Sequence, residues 1–306
     1  MIRRALRAYR QRREAAALLD RLRSASEGFA TAELVEIWRS SRSKTMLKIA
    51  RGSETFMALF FHRGAPDEVA ENVFFAHENL AARLATDPRY RVPAPEEVVP
   101  ALGCVITEFI DAPDLQSLLA HGVAPGSVER AGGWLRALHG AFPARPGTFD
   151  AAALVTPAPA HAPAPIRALA EALARMAADA GSPRTSLVKF HKDFAPRNVL
   201  IGAECVWAVD LTNTRWRMPE EDIAHFLLEA ALDIGEGPAR DRMGLPKELL
   251  PAFAAGYGLR PPDLAHIRPH LAALTLRQWT EAAGADTRTA RLRKPLLEAI
   301  AAGISD

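Results

Sequence analysis

The chain is poor in cysteine: Cys104 and Cys205 are the only two among 306 residues. They are too few and too isolated for a disulfide framework or a zinc site, so a reducing compartment is expected. No apolar run is long enough to cross a bilayer and no secretory hydrophobic segment is present, so the expected location is cytoplasmic. Charge of one sign is also lacking, because 38 Lys and Arg against 36 Asp and Glu leave a net +2. Without a concentrated basic face or interleaved aromatics, no nucleic-acid partner is expected. What remains is ordinary for a globular chain, with 49% hydrophobic and 24% charged residues and enough length for a large core.

Charge is markedly unbalanced at the amino terminus. Arg3, Arg4, Arg7, Arg10, Arg12 and Arg13 crowd there, with Ile2, Leu6, Tyr9, Leu18, Leu19 and Leu22 between and after them. Residues 1–28 read as a basic helix. Its arginines suit peripheral contact, through residues 1–25, with the anionic inner surface of a membrane. The simpler expectation is a solvated helix packed on the segment that follows.

Period-2 and period-3.6 patterns then divide the chain. Strands are expected over 32–38, 45–50 and 55–61, with Arg51-Gly52-Ser53 as a turn, and again over 97–99 and 103–109. Between them, 68–84 carries a helical stripe of Val69, Val73, Phe74, Leu80 and Leu84. Residues 29–110 therefore form a small antiparallel sheet with one main helix. From Leu115 onward helices dominate, over 115–121, 128–139, 166–178 and 221–232, so 111–306 is a larger, mostly helical region. The alternating Pro and Ala of 156–165 should be extended.

The most informative stretch is His191-Lys192-Asp193-Phe194-Ala195-Pro196-Arg197-Asn198. It lies between the apolar runs Ser186-Leu187-Val188 and Val199-Leu200-Ile201. A tight Gly202-Ala203-Glu204 connection leads to Val206-Trp207-Ala208-Val209 and Asp210, so a hairpin would return Asp210 toward Asn198. Phosphoryl transfer needs a group that orients an acceptor hydroxyl and takes its proton, and oxygen ligands for magnesium. Asp193 suits the first task; Asn198 and Asp210 suit the second.

This pattern resembles the catalytic loop of the aminoglycoside phosphotransferase and choline kinase group, which reads His-Gly-Asp-x-x-x-x-Asn. Supporting segments extend the resemblance over about residues 31–235. Glu221-Asp222-Ile223-Ala224 looks like the family's Asp-Leu-Ala element, Ala137-Leu138-His139 like the helix end before its substrate insertion, and Val105 to Asp111 like its hinge. His77-Glu78-Asn79-Leu80 matches its amino-terminal helix. The resemblance implies an α+β, two-lobed protein kinase-like fold, with Mg2+ and ATP or GTP as phosphate donor and a small-molecule acceptor. It implies Asp193 as base, Asn198 and Asp210 as metal ligands, and His191 and Asp222 as supports of the loop. It further implies a nucleotide site using Glu78, the backbone from Glu108 to Ile110, and Ala58 and Leu200 around the base.

Three positions depart from the family. The third strand places Phe60 where a lysine normally holds the phosphates. Lys48 on the neighbouring strand is the favoured substitute; His62, Arg63, Lys44 and Arg42 are others. The Ser40–Lys44 turn, which holds the place of the family's glycine-rich loop, contains no glycine. Ala195 stands where the family carries His or Lys, leaving Lys192 or Arg197 to compensate. The expected activity is transfer to a sugar, an amino alcohol or a glycolipid head group. An aminoglycoside fits less well, because Arg260, Arg268, Arg277, Arg288, Arg291, Arg293 and Lys294 crowd the carboxy-terminal segment. The alternative is a kinase-like binding protein with weak or no transfer, for which Phe60 speaks.

Overall fold

The computed structural model describes residues 2–180, 184–211, 215–260, 263–285 and 287–305, with side chains from Tyr9 onward. By contacts the chain forms two compact units. The first comprises Met1–Ala85, Val92–Asp111 and Leu211–Asn213; the second comprises Thr86–Arg91, Ala112–Asp210 and Thr214–Asp306.

In the first unit, helix α1 (Ile2–Ala25) precedes strands β1 (Glu33–Ser40), β2 (Lys44–Arg51) and β3 (Glu54–Phe61) and helix α2 (Pro66–Leu84). After the short β4 (Tyr90–Arg91), which belongs to the second unit, come β5 (Pro95–Val99) and β6 (Cys104–Glu108). The sheet is antiparallel throughout, in the order β1-β2-β3-β6-β5. Both of its faces are covered. One face buries Leu47, Ile49, Ala58, Phe60, Cys104 and Ile106 against Ala15, Leu19, Leu22 and Phe29. The other packs Met57, Leu59, Phe61 and Val105 on Ala70 and Val73 of α2.

Helix α1 is amphipathic at its carboxy-terminal half. Ala15, Leu19 and Leu22 recur at helical spacing and are buried, whereas Arg10, Arg12 and Arg13 are exposed. Arg23 Nε donates to Ala32 O at 2.7 Å, and Ser26 Oγ, donating to Glu97 at 2.8 Å, fastens the exit from the helix. This packing matches the simpler expectation for the segment and lends no support to membrane contact. The side chains of Arg3, Arg4 and Arg7 lie outside the described residues. No helix among the described residues is long and apolar enough to cross a membrane.

The second unit holds α3 (Leu115–Leu119), α4 (Pro125–Gly140), β7 (Arg145–Thr148), α5 (Ala164–Ala180) and β8 (Arg184–Phe190). It continues with β9 (Val199–Ile201), β10 (Val206–Ala208), β11 (Arg215–Arg217), α6 (Pro219–Ile234), α7 (Leu249–Tyr257), α8 (Leu264–Ala283) and α9 (Arg288–Ser305). Two small sheets, β4-β10-β9 and β11-β8-β7, carry the loop around Asp193. Helices α4 and α7 touch at backbone distance: a Cβ on Gly256 would lie 1.8 Å from the Glu129 carbonyl oxygen, so only glycine fits. The Pro-Ala segment is not continuously extended as its composition suggests. A turn at Ala160–His161, closed by Ala162 N donating to Pro159 O at 2.9 Å, buries Ala162.

Truncating a side chain in the α1 stripe removes buried methyl groups and leaves a void. Leu22→Ala should therefore lower stability by about 2–5 kcal/mol in urea titration, whereas the exposed Arg12→Ala should stay within about 0.5 kcal/mol of the parent.

Candidate active site

The loop between β8 and β9 is tightly specified. Ala195 N donates to Asp193 O at 2.9 Å and Asn198 N to Ala195 O at 2.8 Å, closing a short 3-10 turn over Pro196–Asn198. The β9–β10 hairpin pairs Ile201 with Val206 and Val199 with Ala208. Val209 N then donates to Asn198 O at 2.9 Å, which returns the chain to Asn198 just before Asp210. Lys192 (φ 77°) and Asp210 (φ 65°) are the non-glycine residues with positive φ among those described. Left-handed backbone costs a non-glycine residue about 1–2 kcal/mol. Both costs are concentrated on this one loop-and-hairpin assembly.

Asp222 holds the loop from behind. It sits in the first turn of α6, where the helix dipole favours a carboxylate, and it is fully buried. Its Oδ2 accepts from His191 N at 2.7 Å and its Oδ1 from Lys192 N at 3.1 Å. His139 Nε2 lies 3.2 Å from the same Oδ2, and His139 Nδ1 is 2.8 Å from the Tyr257 hydroxyl. The His191 ring works by packing: it meets Trp134 and Phe194, which stack on each other at 5.5 Å. Its two nitrogens have no hydrogen-bond partner among the described residues, and burial holds its pKa below the ordinary 6.5.

Asp193 is half-exposed and engaged on both oxygens. Asn198 Nδ2 donates to its Oδ2 at 3.1 Å and to its backbone oxygen at 2.8 Å. Arg197 Nη2 donates to its Oδ1 at 2.6 Å, and His225 Nε2 stands 3.6 Å from that atom. Arg197 Nη1 also reaches the buried Glu229 at 3.3 Å. Arg293 Nη2 meets the same Glu229 oxygen at 3.0 Å, and Gln278 Nε2 donates to the other at 2.6 Å. Burial alone would raise the Glu229 pKa, but Arg293 and Gln278 outweigh it and hold the carboxyl below its usual range. Arg197, Glu229, Gln278 and Arg293 line a cavity of about 350 Å³.

The residues expected around a nucleotide are placed as follows. Lys48 lies opposite Met57 on the α2 face of the sheet, with Nζ 3.8 Å from the centre of the Phe109 ring. Ala58 is corrected: its methyl is fully buried in the core with α1, on the face opposite Met57 and Leu59, so it cannot contact a base from the α2 face. The same alternation places Leu59, with Phe60 turned into the α1 core, where a phosphate-holding lysine would face α2. Glu78 is also corrected. It is exposed, and the inward position of α2 belongs to the buried His77, whose Nδ1 is 3.2 Å from Pro93 O. The Glu108 amide is committed to Ala94 O at 2.8 Å, whereas Ile110 makes no backbone hydrogen bond among the described residues. Leu200 is half-buried in β9 opposite Trp207. His62, an alternative cation, bonds Thr45 Oγ1 at 2.8 Å, and the Ser40–Lys44 turn is held by Ser41 Oγ, which accepts from Ser43 N and Lys44 N.

Glu229, His225 and the link from Arg197 to Arg293 were not anticipated. One signal was available: Asp222, His225, Glu229 and Asp233 fall at i, i+3, i+7 and i+11 on a helix that is otherwise apolar beyond Glu220 and Glu221 in its first turn. A polar stripe on a buried helix must have partners.

No protein-family model matches the chain, and no curated protein matches it in sequence. Solved structures do match in shape. A choline/ethanolamine kinase family protein from Mesorhizobium loti superposes with a TM-score of 0.58 at 22% identity, covering 95% of this chain and 99% of its own. The aminoglycoside phosphotransferase APH(4)-Ia gives a TM-score of 0.63 at 13% identity, with 94% and 99% covered. Spectinomycin phosphotransferase, solved with ADP and spectinomycin, gives 0.52 at 14% identity, with 90% and 92% covered. The chain therefore has the two-lobed, α+β kinase-like fold.

Removing the Asp222 carboxylate strands the buried His191 amide and its neighbours, so Asp222→Ala should cost about 3 kcal/mol or more in thermal or urea unfolding. Burial also depresses His191, His225 and, to about 4, His270. A depressed histidine takes its proton first in the unfolded chain, so stability is unaffected above about pH 6.5 and falls as pH drops below it. His191→Phe should flatten that acid limb of a stability–pH profile.

Proposed function

We propose that this chain is a small-molecule kinase that moves the γ-phosphate of ATP or GTP to a hydroxyl group. The reading rests on one observation: Asp193 and Asn198 are bonded together on a loop entered through left-handed Lys192, and the hairpin after it returns to Asn198 one residue before left-handed Asp210. In a fold shared with phosphotransferases, one of them solved with ADP, that assembly has a ready use.

Asp193 orients the acceptor hydroxyl and takes its proton as the oxygen attacks. Asn198 commits its amide nitrogen to Asp193, which leaves its side-chain carbonyl oxygen as the atom for Mg2+; Asp210 supplies a carboxylate. Among the described residues no group of three His, Cys, Asp or Glu gathers into a cage. Two protein oxygens suffice, because Mg2+ takes its other ligands from phosphates and water. Held by Asn198 and Asp210, the ion would supply positive charge against that developing on the transferred phosphate. His191 and Asp222 keep the loop in register. Lys48 is the proposed cation for the donor phosphates, the Ile110 backbone, unbonded among the described residues, the contact to the base, and Leu200 an apolar surface. The acceptor is a sugar, an amino alcohol or a glycolipid head group rather than an aminoglycoside, and the setting is cytoplasmic.

A second reading has its own observation. Strand β3 carries no lysine on either face, which favours a nucleotide-binding protein without transfer activity.

Saturating Mg-ATP or Mg-GTP should stabilise the fold by about 2.7 kcal/mol at a hundredfold excess over Kd, read as a rise in melting temperature. An acceptor screen should then find hydroxyl-dependent ADP or GDP release, reduced about 10²–10⁴-fold in Asp193→Asn. A melting shift without release for any acceptor would select the second reading. Lys48→Ala should weaken nucleotide binding about tenfold or more, and unchanged affinity would remove Lys48 from the site.

A further inference from the structure

The cavity beside Asp193 has a lopsided supply of hydrogen-bonding groups. Glu229 is its buried carboxylate, and both oxygens are taken: Oε1 by Gln278 at 2.6 Å, Oε2 by Arg293 at 3.0 Å and Arg197 at 3.3 Å. Gln278 Oε1 faces Arg293 Nη1 at 3.5 Å. The acceptors of the wall are thus spent, while both guanidinium groups keep N–H donors beyond these bonds. Among the described residues of the rim, Glu281, which is exposed, and the Thr287 and Thr289 hydroxyls add acceptor capacity.

Charge points the same way. Arg197 is neutralised by sharing Asp193 and Glu229, and Arg293 by sharing Glu229. On the kinase reading, Asp193 would lose its charge on taking the hydroxyl proton, which would leave one positive charge in the cavity without its counter-charge. A polycationic acceptor would worsen that imbalance; an oxyanion would relieve it through planar, two-pronged hydrogen bonds of the kind guanidinium groups form.

We infer that the cavity receives the acceptor and selects one that carries an oxyanion, a carboxylate or a phosphate ester, near the hydroxyl to be phosphorylated, with Arg293 as the specificity-determining residue. Arg197 is a positioning residue, linking the bound oxyanion to Asp193. This inference rests on the kinase reading for the hydroxyl, but the oxyanion site stands on the cavity itself.

The test uses the full chain with matched acceptors: glycerol, glycerate, serinol and glycerol 3-phosphate, and glucose, glucuronate, glucosamine and glucose 6-phosphate. Calorimetry without nucleotide reads binding, and Mg-ATP-dependent ADP release reads transfer. The acidic members should bind, and their KM should lie about tenfold or more below those of neutral and aminated partners. The carboxylate and phosphate arms decide which oxyanion is preferred. Arg293→Gln should erase the advantage, while Arg293→Lys, which keeps the charge that Glu229 requires, should retain part of it; melting curves verify that both fold. Acid binding lost in Arg293→Gln, but no transfer to any acceptor, would sustain the oxyanion site and defeat the kinase reading. Absence of oxyanion binding, preference for the aminated members, or an advantage that survives in folded Arg293→Gln would overturn the inference.

Discussion

The carboxylate of Asp222 accepts from two successive backbone amides of the loop that presents Asp193, and the rest of the site depends on that junction. A loop that enters through a left-handed Lys192 would relax unless its amides were fixed, and a buried carboxylate at a helix start fixes them with charge-assisted bonds. His139 of α4 reaches the same carboxylate and is itself held by Tyr257 of α7, so a chain of bonds ties α7 and α4 to the acidic residue of α6. With the loop fixed there, the Asp193–Asn198 bonds and the return of Asp210 follow from short-range geometry alone.

Much of this was legible in the sequence because it is local. The catalytic-loop pattern, the Gly202 connection and the apolar strands on either side specify a hairpin, and the structure builds it. The phase of β3 was not legible. Phe56 to Phe61 are apolar without interruption because α1 covers one face of the sheet and α2 the other, and a strand buried on both faces loses the alternation that tells inside from outside. The family pattern therefore drew Ala58 and Phe60 to the wrong face. On α2 the neighbouring His77, which turns inward to Pro93, displaced Glu78 for a related reason: a buried histidine is not distinguished by hydropathy from an exposed one.

The Arg197–Glu229–Arg293 network was hidden for another reason. Its members are separated by 32 and 64 residues, and only the packing of α6, α9 and the loop carrying Arg197 brings them together. Arg293 was visible as one of many basic residues at the carboxy terminus, and nothing in the sequence set it apart from Arg288 or Arg291. Burial of Glu229 is what gives Arg293 a fixed position and hence a chemical role.

Asp222 and Glu229 occupy the same side of α6, seven residues and about 10 Å apart along its axis. One end of that interval sets the backbone of the loop, and the other sets the guanidinium that grips the carboxylate on it. Two turns of helix thus act as a ruler between the reacting group and the pocket next to it. A single residue added between the marks would turn one end about 100° from the other, leaving the loop and the cavity each intact but out of step.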